Sequence, residues 1–176
     1  MTERVSTRRL NDTEIEVYVA HLRGKSALGK RDRISIADVG IGVSQALPVL
    51  TALLAARPTQ LVYLEQPEIH LHPRAQVALA QVLAHAANRG VRVIAETHSS
   101  LLLLGIQSLV ANGKLAPERI KLHWFTRNQK TGATKVTSAD LDEAGRFGDW
   151  PEDFDDVSLK AQSDYMDAAE RRLFVQ

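Results

Sequence analysis

The sequence predicts an α/β fold, with a partial parallel sheet flanked by helices and a small antiparallel hairpin at the periphery. Two short apolar runs, at residues 61–64 and 91–94, have the length and composition of buried parallel strands. A segment with helical spacing separates them, as expected for a crossover between parallel strands. Two further segments, at residues 120–127 and 133–137, flank a polar turn and indicate the hairpin.

Composition limits the class of protein. The 176 residues, 44% of them hydrophobic, suffice for one domain with a sizeable core. Lys and Arg number 22 against 21 Asp and Glu, so the balanced charge neither supports nor excludes a nucleic-acid partner. The absence of cysteine excludes disulfides and thiolate chemistry and accords with a reducing compartment. Since no signal segment or long apolar run is present, we expect a cytoplasmic protein without a membrane partner.

The first 33 residues read as a polar lead-in with one strand and a basic loop. Residues 1–14 are polar and are expected to be irregular, whereas residues 15–20 alternate apolar and polar side chains, which is typical of a half-buried strand. The following loop contains Gly24-Lys25-Ser26, which looks like the end of a phosphate-binding loop. That motif requires a glycine five positions before Gly24, where this chain has Val19, so we interpret the loop as a solvated hairpin turn.

A glycine-rich segment, residues 40–45, precedes a predicted helix at residues 46–56. Ser44 is the expected N-cap of that helix. Two glycines and a hydroxyl at a helix start expose backbone N–H groups at the positive end of the helix dipole, which favours anions. The alternative is an ordinary strand-to-helix turn capped by serine.

The polar cluster after residue 64 contains the main candidate chemistry. Glu65 and Glu68 follow the apolar run, and Pro67 and Pro73 prevent it from continuing as a helix. Carboxylates at the carboxyl end of a parallel strand suit Mg²⁺, which prefers hard oxygen ligands. A zinc site built from Glu68 and the two histidines of residues 70–72 is the alternative, although this spacing is a weak signal.

A second polar cluster follows the next strand. Residues 74–88 have helical spacing, and residues 91–94 form the next predicted strand. The chain continues as Glu96-Thr97-His98-Ser99 into a predicted helix at residues 101–110, which Ser99 or Ser100 caps. Because parallel strands end at the same edge of a sheet, we expect both polar clusters to lie at that edge. Beyond the hairpin, residues 140–156 are acidic and turn-rich with aromatics that should pack on the body, and residues 159–174 have the pattern of a closing amphipathic helix.

The order of these motifs resembles the C-terminal half of an ABC-type ATPase head, in the branch of the SMC and RecF proteins and the overcoming-lysogenization-defect nucleases, which are AAA-family ATPases. Residues 38–45 resemble the signature motif, 61–66 the Walker B strand, 69–73 the D-loop region and 95–99 the switch-histidine motif. The segment 148–151 also resembles the tail of an uncharacterised subfamily. The resemblance implies a P-loop NTPase-like fold, with residues 34–127 as the ATPase lobe and residues 128–176 as a C-terminal hairpin, acidic turn and helix.

The resemblance also implies ATP and Mg²⁺ as cofactors and a composite site shared between two heads. In such a site the signature residues Gly40, Gly42, Ser44 and Gln45 would bind the nucleotide in trans, with the last three at the γ-phosphate. Glu65 would hold the Mg²⁺ shell, and His98 would sense the γ-phosphate. The implied partners are a second ATPase head, in a homo- or hetero-oligomer, and DNA, because relatives act in DNA repair, chromosome organisation and phage defence.

Two departures from the family pattern affect catalysis. Where the family usually has a second Walker B carboxylate, this chain has Gln66, which orients water but accepts no proton, so that Glu68 or Glu65 would serve as the base. The chain also lacks a phosphate-binding loop. We therefore expect an ATPase lobe completed by a polypeptide that carries Walker A. The alternative is a degenerate lobe that serves as a protein or DNA interaction module.

Overall fold

The computed structural model describes residues 4–20, 33–148, 163–167 and 170–171. The chain divides into two compact units, Met1–His98 and Ser99–Gln176. Within the described ranges, no helix is long and apolar enough to cross a membrane.

The first unit begins with an antiparallel sheet of β1 (Arg4–Arg9), β2 (Ile15–Ala20) and β3 (Arg33–Ser35), in that spatial order. The strand predicted at residues 15–20 is confirmed, but the expectation of an irregular lead-in is wrong because residues 4–9 form β1. The Asn11 side chain makes this pairing possible: its Oδ1 accepts bonds from the backbone N–H groups of Thr13 and Glu14, which closes a tight turn between the strands. The loop with Gly24-Lys25-Ser26 lies outside the described residues.

Helix α1 (Ile41–Ala55) follows a short 3₁₀ turn and begins earlier than predicted. The N-cap is Gly40, and the prediction of Ser44 as N-cap is wrong. Ser44 lies inside the first turns, where its Oγ donates to the Ile41 carbonyl at 3.0 Å. Pro48, inside the helix, explains part of the error, because it lacks the N–H that would bond to the Ser44 carbonyl. Proline is common in the first turn of helices, so its presence at this position suggests a helix start several residues after the real one.

Strands β4 (Leu61–Glu65) and β5 (Arg92–Glu96) pair in parallel and are joined by α2 (Pro73–Asn88), as the sequence predicted. The buried hydrophobic side chains of this unit lie on β2, α1, β4 and α2 and immediately before β5; they are Val19, Leu53, Leu64, Leu79, Ala80, Leu83, Ala84, Ala86 and Val91. The guanidinium of Arg89, just after α2, donates to the Leu53 carbonyl at 2.5 Å and so caps the last turn of α1.

The opposite face of the strand pair is exposed. Leu61, Tyr63 and Ile94 retain 60%, 59% and 54% of their accessible surface. The prediction that residues 61–64 form a fully buried strand is therefore wrong for one face, because among the described residues only the other face is covered by α1 and α2.

The second unit contains α3 (Ser100–Ala111) and an antiparallel hairpin of β6 (Leu122–Arg127) and β7 (Thr134–Ala139). The hairpin and the Ser99 cap of α3 are confirmed; the Ser99 side chain accepts from the Leu102 N–H. Residues 163–167 and 170–171 are helical, in agreement with the predicted closing helix. The rest of that helix and residues 149–162, with the aromatic Trp150 and Phe154, lie outside the described residues.

Candidate functional site

Two carboxylates lie side by side at the carboxyl ends of the parallel strands. Glu65 is the register partner of Glu96, and both side chains are exposed on the open face of the pair. The Tyr63 hydroxyl, on the same face, donates to Glu96 Oε2 at 3.4 Å. Partial desolvation of this hydroxyl and the negative charges of Glu96 and Glu65 raise the pKa of Tyr63. One or two carboxylates with open positions for water and phosphate oxygens are what Mg²⁺ requires, so this donor set fits the ion.

The chain turns sharply after Glu65. Gln66 has a φ of 41°, in the left-handed region that is uncommon for residues other than glycine. Its N–H donates to the Glu96 carbonyl at 2.9 Å, which extends the pairing one residue beyond the strands, and its carbonyl accepts from the Ile69 N–H at 3.2 Å. The backbone at Gln66 is therefore held from both sides.

Glu68 folds back beneath this turn and reaches the loop after β5. Its side chain is buried, with 5% of its surface exposed. Oε1 accepts from Thr97 Oγ1 at 2.5 Å and from the His98 N–H at 3.1 Å, whereas Oε2 is buried without a hydrogen-bond partner. Both polar clusters thus meet at one edge of the sheet, as expected from parallel strands.

The histidines of the site have different environments. The rings of His70 and His98 are exposed, whereas His72 caps α2 through Nδ1, which accepts from the Arg74 N–H at 3.2 Å. Among the residues that the structure describes, no group of three or more His, Cys, Asp or Glu side chains is placed to hold a metal ion. His72, one of the three ligands of the alternative zinc site, is already engaged in the cap of α2. The geometry therefore favours a carboxylate site over a zinc site.

The signature segment contacts the acidic turn. Gly42, in the first turn of α1, lies so close to the turn that a Cβ atom there would be 2.8 Å from the His70 carbonyl oxygen. A Cβ at Gly40 would have nothing within 4 Å. Gln45 is exposed, and Ser44 is half-buried with its Oγ bonded within the helix.

The structure thus brings Glu65, Gln66, Glu68 and the His98 backbone together, and the first turn of α1 touches the same segment through His70. In the sequence, Glu96 belongs to the second polar cluster, but no motif assigns it a role. Strand register places Glu96 opposite Glu65. The sequence signal for this pairing is that each glutamate stands at the end of its apolar run.

Comparison with known proteins identifies the family and the fold. The family model described as "AAA domain, putative AbiEii toxin, Type IV TA system" matches residues 9–104, more than half of the chain. The chain belongs to this AAA-domain family. A solved structure described as "Structural biochemistry of ATP-driven dimerization and DNA stimulated activation of SMC ATPases" is similar to it with a TM-score of 0.53 and 15% identity, over 76% of this chain and 71% of that one. No curated protein matches significantly. The expected AAA-family ATPase domain is therefore confirmed, and the likeness to the solved SMC ATPase structure confirms the expected α/β fold.

Proposed function

We propose that this chain is the C-terminal lobe of an ABC-type ATPase and that a segment carrying Walker A, in a longer chain or in a partner, completes its site. The observation that carries the proposal is the open face of the β4–β5 pair. Parallel strands are almost always covered on both faces, yet Leu61, Tyr63 and Ile94 are more than half exposed here. This apolar face ends at Glu65 and Glu96, so a lobe covering it would bring its phosphate-binding loop to the carboxylates.

From the described geometry we propose a part in the reaction for each side chain. Glu65, assisted by Glu96, would hold Mg²⁺, which when bound neutralises charge on the β- and γ-phosphates. Gln66 would orient the attacking water through its amide. The proton of that water would pass to Glu65, because this carboxylate is exposed at the strand end whereas Glu68 is buried. The His98 ring would contact the γ-phosphate as a hydrogen-bond donor.

Nucleotide contacts in trans are proposed for the start of α1. The first turn of a helix carries N–H groups without intrahelical partners, and here the N-cap residue Gly40 adds no side chain beside them and leaves open space around its Cα. Ser44 and Gln45 lie on the following turn. We propose that this segment meets the γ-phosphate held by a second head. The similar SMC ATPase, described as dimerizing with ATP and being activated by DNA, supports a paired head and a DNA partner as the arrangement to test.

Reconstitution tests the proposal. The isolated chain should show no ATP turnover, and turnover should appear when the neighbouring-gene or upstream segment containing GxxxxGK followed by Ser or Thr is added. A Lys→Ala change in that added loop should abolish it again. Turnover by the pure chain that is lost in Glu65→Gln would disprove the need for a partner.

The docking face has a matched pair of variants. Ile94→Asp places a charge on the open face of the β4–β5 pair. The control, Val136→Asp, places a charge at a similarly exposed strand position, 50% accessible, in the other unit. We expect only Ile94→Asp to prevent reconstitution, since an unpaired charge in a covered apolar face is strongly unfavourable. Equal loss in both variants would contradict the proposed docking face.

A second function, a degenerate lobe that serves as an interaction module, is favoured by Gln66, which accepts no proton. Calorimetric titration of the reconstituted assembly with Mg²⁺-ATP separates the two functions. Heat of binding followed by turnover supports the ATPase, and the absence of heat supports the module.

A further inference from the structure

Glu68 forms the side-chain connection between the loops that follow the two parallel strands. It lies two residues after Gln66, and its Oε1 accepts both from the Thr97 hydroxyl and from the His98 N–H. The backbone bond from the Gln66 N–H to the Glu96 carbonyl joins the same loops at 2.9 Å. The residue proposed to orient water and the residue proposed to sense phosphate are therefore held at a set distance by three hydrogen bonds.

The geometry does not suit Glu68 to proton transfer. A general base must reach its water within hydrogen-bond distance, but one oxygen of Glu68 is already shared by two donors and the other is buried, with 5% of the residue exposed. Oε2 is buried without a hydrogen-bond partner, which is unfavourable. Contacts of Oε2 therefore do not explain the position of this side chain. Its two bonds go to the loop that carries His98.

We propose that Glu68 is a positioning residue that fixes the His98 backbone against the turn at Gln66, so that the two loops move as one body. The functional part of this statement rests on the proposed ATPase, because only there do Gln66 and His98 act on the same nucleotide. The structural part rests on the isolated chain alone. What Glu68 must supply is an acceptor oxygen, and neither its negative charge nor its basicity is needed.

Two substitutions separate these properties. Glu68→Gln keeps an acceptor oxygen in place without the charge, and Glu68→Met keeps the unbranched shape without any acceptor. Glu68→Met leaves two donors without their acceptor, but it also removes the unpartnered buried Oε2, which offsets part of that cost, so we expect the variant to fold. Glu118→Ala, which removes an exposed carboxylate in the other unit, is the control.

Amide hydrogen exchange of the full chain, without nucleotide or partner, is the primary measurement. In Glu68→Met the His98 amide should exchange roughly tenfold to a hundredfold faster, as expected for a lost bond to a charged acceptor. In Glu68→Gln it should stay within about threefold of the original chain, because a neutral acceptor forms a weaker but intact bond. The Arg92 amide, bonded to the Gln60 carbonyl at 2.8 Å, should be unchanged in all variants and reports that the strands remain paired.

Unchanged exchange at His98 in Glu68→Met, or equally fast exchange in Glu68→Gln, would overturn the proposal. Should Glu68→Met not fold, Thr97→Val removes one donor to Oε1 and is expected to accelerate the His98 amide by about threefold or more; no acceleration would likewise overturn it.

Turnover of the reconstituted assembly is the second measurement. Positioning predicts that Glu68→Gln restores most of the kcat lost in Glu68→Met, with the KM for ATP unchanged in both. Protected exchange combined with abolished turnover in Glu68→Gln would identify Glu68 as the base and reject the positioning role. If the original chain shows no turnover with its partner, the proposed ATPase fails, while the exchange result still decides whether Glu68 holds the loop.

Discussion

The contact between the signature segment and the acidic turn leads to a prediction with a definite sign. In an open helix, Gly42→Ala would stabilise the protein by about 1 kcal/mol, because alanine has the higher helix propensity. Here the new Cβ would lie 2.8 Å from the His70 carbonyl oxygen, and reaching the shortest ordinary contact of 3.4 Å requires a backbone shift of about 0.6 Å. Overpacking of this kind costs about 1–3 kcal/mol. We therefore expect no gain and a net loss of up to about 2 kcal/mol.

Denaturant unfolding and amide exchange together test this prediction. Gly40→Ala is the matched control, since its Cβ meets nothing within 4 Å and the only cost is the weaker N-cap, below about 1 kcal/mol. Gly42→Ala should accelerate exchange at the Ile69 and Leu71 amides, which close the turn, whereas Gly40→Ala should not. Stabilisation by Gly42→Ala with unchanged exchange in the turn would refute the contact.

Three further predictions concern the second unit and the strand ends. Gly145→Ala should destabilise the protein by about 2–4 kcal/mol, because φ is +75° and the Cβ would overlap a backbone carbonyl in α3. The control, Gly113→Ala, has φ +66° with open space around the Cβ and should lose only about 1–2 kcal/mol. Equal losses in denaturant unfolding would contradict the overlap. Glu96→Gln should lower the raised pKa of Tyr63 in an ultraviolet titration. Because the folded pKa of Tyr63 lies above the unfolded value of about 10, this stabilising contribution is fully present below about pH 10 and is lost as pH rises through the folded pKa; with its smaller pKa shift, the variant should therefore lose less stability than the original chain over this alkaline range. Gln66→Glu should raise kcat of the reconstituted ATPase by about tenfold or more, and unchanged turnover would show that base strength is not limiting.

Local signals were enough to predict the strand, helix and strand from residue 61 to residue 96. Each apolar run is short and bounded, and the Asn88-Arg89-Gly90 sequence ends α2 where the structure ends it. Two errors had physical causes that sequence patterns hide. Strand β1 is an exposed, polar strand that exists because the Asn11 turn pairs it with β2, and α1 starts at a glycine cap without a side-chain bond, ahead of an internal proline.

The site was predictable up to the point where contacts distant in sequence decide it. That the two polar clusters share one edge follows from parallel topology alone. The role of Glu68 does not, because its donors, Thr97 and the His98 amide, lie 29 and 30 residues further along the chain. Sequence spacing placed Glu68 among the candidate bases, whereas burial and hydrogen bonding distinguish it from the exposed Glu65.

The exposed apolar face and the paired carboxylates have a common physical consequence. Like charges directly opposite each other on neighbouring strands destabilise the pair, yet Glu65 and Glu96 are in register at the strand ends, and no ion pair to either is found in the described part of the chain. Apolar exposure and uncompensated negative charge both raise the free energy of the isolated chain, and they adjoin on one surface. An occupant that is apolar where it covers Leu61 and Ile94, and that brings cations to the carboxylates, relieves both costs at once. A phosphate-binding lobe with its lysine and Mg²⁺ has that combination of properties, which is why completion of the site by such a lobe explains the surface better than an apolar or a basic partner alone.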